Sequence, residues 1–268
     1  MRDPRVYFLP ALCAMAWAAA DAGSNRAFGG AWLLPPGAGQ IIAYLDYSDS
    51  SYAFDMHGKL VKVPAYQKFE IGGYLEYGLA DWLTIVAAPA YDRVRSPVAG
   101  QSYDGPGESE IGARVGLYRS ETSVFSVQAS IRSPGASFDS LGLAEVRRSA
   151  SLDLRAMAGK SFTLGTIEGF AEAQAGYRFY AANQPGEWRI DLAAGLRPLP
   201  NFLFMMQSYT SIGKGPKPFG EIAWTKIQPS VVYSITPQWS LQAGGFVTVW
   251  GKNAGRELGP MIGLWYRF

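Results

Sequence analysis

Cysteine, histidine and long apolar runs are scarce in this chain. Its 268 residues include a single cysteine, Cys13, and a single histidine, His57. Cys13 lies in an amino-terminal segment that we expect to be cleaved, and the preceding Pro10-Ala11-Leu12 is a poor lipoprotein cleavage box. The mature chain then has no thiol for disulfides, catalysis or metal binding. After this segment, no window is long and apolar enough for a membrane-spanning helix.

An excess of charge of either sign is also missing. The formal net charge is +2 at pH 7, and no broad basic patch stands out. Nucleic acid is therefore not expected as the main partner.

The amino terminus has the pattern of a secretory signal peptide. Arg2 and Arg5 precede an apolar stretch, residues 6–19, and small residues follow at 18–20. Cleavage after Ala20 or after Ala22 fits equally well, and a retained anchor is the weaker alternative because the stretch is short. We assign residues 1–20 to the signal peptide.

Residues 21–39 form a leader rich in glycine, alanine and proline. Two placements stay open: an irregular segment on the periplasmic side, or a plug that folds back into the lumen of the barrel predicted below. The sequence does not choose between them.

From Gln40 to the end, alternating segments of roughly ten to fifteen residues are separated by short turns and longer polar loops in turn. The predicted strands are 40–54, 66–78, 82–94, 107–119, 123–133, 148–163, 167–181, 188–196, 202–212, 222–235, 239–249 and 258–268. A soluble sandwich has no reason to alternate short and long connections. The prediction is an all-β, transmembrane, antiparallel up-and-down β-barrel of about 12 strands over residues 40–268, in the bacterial outer membrane.

The last segment carries a predicted assembly signal. Phe268 ends the chain, and Tyr266 lies two residues earlier on the same apolar face. This ending resembles the closing strand of bacterial outer-membrane barrels, which the barrel assembly machinery reads.

Strand parity predicts which residues line the lumen. In residues 107–118, Glu108, Glu110 and Arg114 share one face while Ile111 and Val115 share the other. The apolar face must meet lipid, so the polar face points inward. The predicted lumen-lining residues are Lys68, Glu70, Glu76, Glu108, Glu110, Arg114, Arg132, Asp153, Arg155, Glu172, Arg178, Arg189, Asp191 and Lys226. With Asp46, Asp92 and Arg197, the inward set has nine acids and eight bases, an almost balanced lumen.

Four prolines lie in or near predicted strands, and a closed barrel has no free edge where a missing N–H is harmless. We expect bulges or strand ends at Pro64, Pro89, Pro229 and Pro260.

Several motifs resemble one family. Residues 31–42 (AWLLPPGAGQII), 76–84 (EYGLADWLT), 112–114 (GAR) and 263–268 (GLWYRF) resemble XagA-type proteins. Those look like outer-membrane proteins of surface-polysaccharide and biofilm loci, and they are similar to the outer-membrane proteins of phenol meta-cleavage pathways. The resemblance implies a barrel, but its motifs are turns and strands and name no cargo.

Catalytic chemistry has little support. His57 falls in a predicted outer loop beside Asp55 and Lys59, and no Gly-x-Ser-x-Gly elbow accompanies it. A lipid-modifying barrel enzyme is therefore the least favoured hypothesis, and the chain is expected not to be an enzyme. We expect no catalytic residues, no cofactor and no metal site, since no ordered calcium-ligand spacing is present.

Two functions from different classes remain. The first is a passive channel or transporter for small solutes or surface glycan, because inward charges leave a polar path and about twelve strands lie between filled and open barrels. The second is a structural or surface-interaction protein that supports biofilm polysaccharide. The expected partners are outer-membrane lipid, the barrel assembly machinery and surface polysaccharide or small solutes.

Overall fold

The computed structural model describes residues 30–97, 102–140, 143–147, 149–182, 184–215 and 220–268. The predicted signal peptide and residues 21–29 of the leader lie outside these ranges. No helix in the described ranges is long and apolar enough to cross a membrane.

The described chain is built from antiparallel strands. They are β1 (Gly39–Phe54), β2 (Leu60–Ala80), β3 (Leu83–Ala88), β4 (Ala90–Arg95), β5 (Tyr103–Pro106), β6 (Glu110–Arg119), β7 (Ser123–Arg132), β8 (Gly135–Ser140), β9 (Leu143–Arg147), β10 (Ser151–Leu164), β11 (Ile167–Tyr180), β12 (Glu187–Leu199), β13 (Phe202–Lys214), β14 (Glu221–Ser234), β15 (Trp239–Lys252) and β16 (Ala254–Arg267).

The main sheet closes on itself, because β1 pairs with β16 on one side and with β2 on the other. β3 and β4 both pair with β2 and are halves of one strand, and β5 and β6 likewise continue one another. The wall therefore has twelve antiparallel strands, and the predicted barrel is confirmed.

Side chains alternate between the two faces of the wall. On β10, Leu152 and Leu154 are exposed on the outside, whereas Asp153 is buried inside. Large apolar side chains stay exposed in this way around the barrel, as on β12 and β16. Contact of such an apolar surface with lipid is favourable, whereas its exposure to water is not.

The prolines coincide with interruptions of the wall. Pro89 separates β3 from β4, and the β14–β15 ladder has no pairs beside Pro229. The β1–β16 pairing skips the neighbourhood of Pro260, and the β1–β2 register shifts close to Pro64. A residue without an N–H cannot complete a ladder, so the register adjusts locally.

Two predicted outer loops are wrong. Residues 250–257 were expected to form a long loop, but β15 runs to Lys252 and β16 begins at Ala254, with only Asn253 between them at φ 48°. Asparagine tolerates this left-handed conformation, which makes the tight turn possible. The expected loop at 134–147 contains the hairpin β8–β9, and β8 contacts both β5 and β16.

Candidate functional site

The interior of the barrel is lined by charged side chains that pair with one another. Near the outer end, Lys68 lies 2.6 Å from Glu70 and 3.2 Å from Asp92. Lys226 pairs with Glu257 from β16. The two lysines are thus neutralised within the chain.

An arginine network continues beside these lysines. Arg178 contacts Asp153 at 3.0 Å and both Glu108 and Glu187 at 3.2 Å. Each of these carboxylates comes from a different strand or strand end, so Arg178 ties four segments of the wall together. Burial of an arginine at 2% exposure requires such pairing.

The other arginines of the network are also paired with two carboxylates each. Arg155 lies 2.7 Å from Asp153 and also pairs with Asp191. Arg132 lies 2.9 Å from Glu108 and also pairs with Glu110.

The periplasmic half is organised by one fully buried pair. Arg114 and Glu76 are each 1% exposed, and their closest atoms are 2.7 Å apart. Arg114 also donates to the side chains of Gln128 and Tyr74 and, at 3.0 Å, to the carbonyl of Trp32. The guanidinium is therefore surrounded by acceptors on several sides.

Part of the leader lies inside the wall at this level, and we call residues 30–36 the inner segment. The amide of Ala31 donates to Glu172 at 3.0 Å, and the carbonyl of Ala31 accepts from Ser126 at 2.8 Å. The amide of Leu34 donates to Thr84 at 3.1 Å. Ala31, Leu33 and Leu34 are all buried, so the inner segment packs as part of the barrel interior.

Three cavities follow one another through the lumen. The outer cavity has a volume of about 310 Å³, the middle cavity about 190 Å³ and the inner cavity about 450 Å³. Lys226 lines both the outer and the middle cavity, and Asp46 lines both the middle and the inner cavity. Gly30 of the inner segment is part of the lining of the inner cavity.

The lining of these cavities is acidic. Ten acids line them against seven bases. Two of the acids, Glu187 and Glu257, were expected in outer loops, but β12 and β16 begin earlier than predicted and carry both inward. Adding both raises the acids of the predicted inward set from nine to eleven, beside its eight bases. Strand alternation near residues 187 and 257 was the signal that could have found them.

Most of the lumen-lining residues predicted by parity meet in this system of pairs and cavities. Glu172 accepts a hydrogen bond from the amide of Ala31. Arg189 lies 3.4 Å from Glu187, and its guanidinium carbon is 5.0 Å from the ring centre of Trp224. Among the described residues, no group of three or more histidine, cysteine, aspartate or glutamate side chains is placed to hold a metal ion.

The chain terminus lies at the closing seam. The amide of Phe268 donates to the carbonyl of Gly39 at 3.0 Å, and the amide of Gly39 donates back at 2.8 Å. The ring of Phe268 stacks on Tyr266 at 5.7 Å between centroids, and Tyr266 lies 4.6 Å from Trp239. Recognition of Tyr266 and Phe268 by the assembly machinery stays a prediction.

Comparison with known proteins identifies the architecture. No family model and no curated protein matches the chain. Among solved structures, a COG4313 outer membrane channel from Pseudomonas putida F1 matches with a TM-score of 0.72 and 16% identity, over 91% of this chain and 100% of that one. The fold is that of a bacterial outer-membrane β-barrel. The translocator domain of autotransporter NalP from Neisseria meningitidis matches this outer-membrane barrel with a TM-score of 0.53 and 11% identity, over 94% and 93% of the two chains. A NanC porin structure matches with a TM-score of 0.51 and 8% identity, over 84% of this chain and 100% of that one.

These likenesses agree with the physical character of the surface. An apolar outer face around a closed antiparallel wall is what a lipid bilayer requires of a spanning sheet, since a closed sheet has no edge strand with a row of unpaired backbone groups. The protein is therefore located in the bacterial outer membrane, as the sequence predicts.

The expectation that the chain is not an enzyme is corrected. Outer-membrane barrels as a class include enzymes. The barrel fold thus does not exclude catalysis. His57 is exposed in the turn between β1 and β2, where its backbone amide and that of Lys59 donate to Asp55. These hydrogen bonds, chiefly the one from Lys59, lower the pKa of Asp55.

Proposed function

We propose that this barrel is a passive channel for small polar solutes. The observation that carries the proposal is the succession of three cavities, which share charged lining residues from the outer end to the inner segment. Side chains fill the interior of eight-stranded barrels, whereas a wall of twelve strands is wider and leaves room for these cavities. Paired charges around the space offer a solute hydrogen bonds in place of its hydration shell.

The narrow middle cavity supports small solutes rather than glycan as cargo. Its volume of about 190 Å³ is below the roughly 300–1,000 Å³ of sites that enclose drug-sized molecules. The outer and inner cavities, of about 310 and 450 Å³, each share lining residues with the middle cavity, and they also share Tyr44 and Arg132 with each other.

The excess of acids supports a preference for cations. Ion pairs cancel most of the lining charge, and ten acids against seven bases leave a negative remainder. A low-dielectric wall focuses this field along the lumen and raises the local cation concentration.

The inner segment supports a restricted periplasmic exit. It is held by hydrogen bonds from or to Glu172, Ser126, Thr84 and Arg114, all on the inside of the wall. We extend the proposal to a plug role for this segment, so its removal should widen the conducting path.

Planar-bilayer recordings of the refolded chain test the proposal. We expect ion conductance, with a reversal potential under a KCl gradient that shows preference for K⁺. Glu187→Gln and Glu257→Gln should each weaken that preference, while Asp104→Asn, in an exposed pair with Arg93 near the outer rim, should leave it unchanged. Conductance no greater than that of lipid alone, both with the full chain and with a variant that lacks residues 30–36, would refute the channel.

Membership of the XagA-type family, and support of biofilm polysaccharide by outer loops, stay hypotheses beside the channel. Deletion of the hairpin β8–β9 followed by measurement of glycan retention on cells tests the second. Unchanged retention would count against it and leave the channel proposal untouched.

A further inference from the structure

The middle cavity has walls of opposite charge. Asp46 of β1 lines one wall, and Arg189 of β12 lines the other. Around the twelve-stranded wall, β12 is the fifth strand from β1, so the two side chains face each other across the lumen. No ion pair joins them.

Each of these two side chains has a buried polar atom without a partner among the described residues: Oδ1 of Asp46 and Nε of Arg189. The side chain of Asp46 forms no hydrogen bond or ion pair with the described part of the chain, and the only hydrogen bond of the Arg189 side chain there is a long one of 3.4 Å from Nη1 to Glu187. An unsatisfied buried polar group typically costs about 1–3 kcal/mol, and more if it is charged. These two groups are therefore available to a solute.

The neighbouring charges are already neutralised. Lys68 pairs with Glu70, and Lys226 pairs with Glu257. Among the charged groups that line the middle cavity, the buried atoms without a partner in the described part of the chain are thus one acceptor, on Asp46, and one donor, on Arg189.

The aromatic side chains hold the basic wall in place. The guanidinium carbon of Arg189 is 5.0 Å from the ring centre of Trp224, and Nζ of Lys226 is 4.8 Å from that of Phe246. A guanidinium stacked on an indole keeps its in-plane N–H groups free for a carboxylate.

We propose that the middle cavity is a binding site for a small zwitterion of the α-amino-acid type, with its ammonium group at Asp46 and its carboxylate at Arg189. A simple cation or anion satisfies only one of the two groups, whereas a zwitterion satisfies both. The volume, equal to roughly six water molecules at about 30 Å³ each, limits the solute to a compact one. This assignment deepens the channel function and rests on it.

Binding is tested separately from conduction. Saturation-transfer NMR on the refolded chain in detergent reports weak binding whether or not the pore conducts. The probe is L-alanine, with acetate and methylammonium as ligands that carry one charge each. We expect L-alanine to bind at least tenfold more tightly than either, and its addition to reduce the KCl current in planar bilayers.

Two variants assign the ends of the ligand. Asp46→Asn should lower L-alanine affinity about tenfold, to the level of acetate, and Arg189→Gln should lower it to the level of methylammonium. Asp104→Asn and Arg93→Gln make the same chemical changes in an exposed pair with a 2.9 Å contact and should have no effect. Retarded migration of heated against unheated samples on gels verifies that each variant is folded.

The outcomes separate this inference from the channel proposal. Conductance without preferential binding of L-alanine would overturn the zwitterion site and leave the channel standing, with water satisfying Asp46 and Arg189. Equal loss of affinity in the exposed control variants would also overturn it. Binding with the expected variant pattern but no conductance would support the site and refute the channel.

Discussion

Replacement of Arg114 by methionine should strongly destabilise the barrel. Methionine keeps much of the length of the side chain but removes its charge, which leaves the carboxylate of Glu76 buried at 1% exposure with the hydroxyl of Tyr74 at 2.8 Å as its neighbour. Removal of one partner of a buried ion pair typically costs about 3–5 kcal/mol, because the other charge stays desolvated. We expect the free energy of unfolding to fall by that amount.

The double variant Glu76→Gln with Arg114→Met sharpens the test. It removes both charges, so no uncompensated carboxylate remains, and it should be more stable than Arg114→Met alone. The double-mutant cycle with Glu76→Gln should give a coupling energy of roughly 0.5–3 kcal/mol, as is usual for contacting residues. The control is Arg93→Met, since Arg93 is 57% exposed in its pair with Asp104 and such pairs contribute at most about 1 kcal/mol.

Urea unfolding in lipid vesicles, followed by tryptophan fluorescence, measures these differences by linear extrapolation. A loss below about 1 kcal/mol for Arg114→Met, or a double variant no more stable than the single one, would refute the reasoning that this pair is held by mutual neutralisation. The same variant frees the carbonyl of Trp32, so a rise in conductance should accompany the loss of stability.

Three further predictions concern the wall and its closure. Deletion of Phe268 should lower the amount of folded protein in outer-membrane fractions, because its backbone pairs with Gly39 at the seam, whereas Met56→Ala in the exposed β1–β2 turn should not; normal levels after the deletion would contradict the seam assignment. Gly259→Ala should destabilise by about 1–3 kcal/mol through overpacking, since a Cβ there would lie 1.6 Å from the carbonyl oxygen of Tyr47, while Gly73→Ala, with its nearest atom at 3.4 Å, should be tolerated; equal urea midpoints would speak against it. Ala156→Arg on the outer face of β10 should lower the free energy of unfolding in lipid vesicles by about 2–4 kcal/mol, whereas Ala156→Leu should leave it almost unchanged. An unchanged free energy of unfolding for the arginine variant would show that this face does not contact lipid.

The barrel could be predicted from local pattern, and the connections only in part. Alternation of apolar and polar residues is a property of each strand by itself, so it predicts the twelve strands and the lipid-facing side. The end of a strand depends on whether a neighbour continues the ladder, which is a contact distant in sequence. This is why the tight turn at Asn253 and the inward positions of Glu187 and Glu257 differ from the sequence-based expectation.

The sequence by itself determined that this chain closes as a barrel with charges inside, because lipid admits only an apolar outer face and every second residue must then point inward. Only the tertiary structure decided which charges neutralise one another. Arg114 meets Glu76 and the inner segment, whereas one buried polar atom of Asp46 and one of Arg189 have no partner among the described residues. These relations join residues of different strands that are distant in sequence. Which side chains meet inside the lumen depends on how the sheet closes and not on their spacing along the chain. The alternation within a strand therefore cannot predict these pairs.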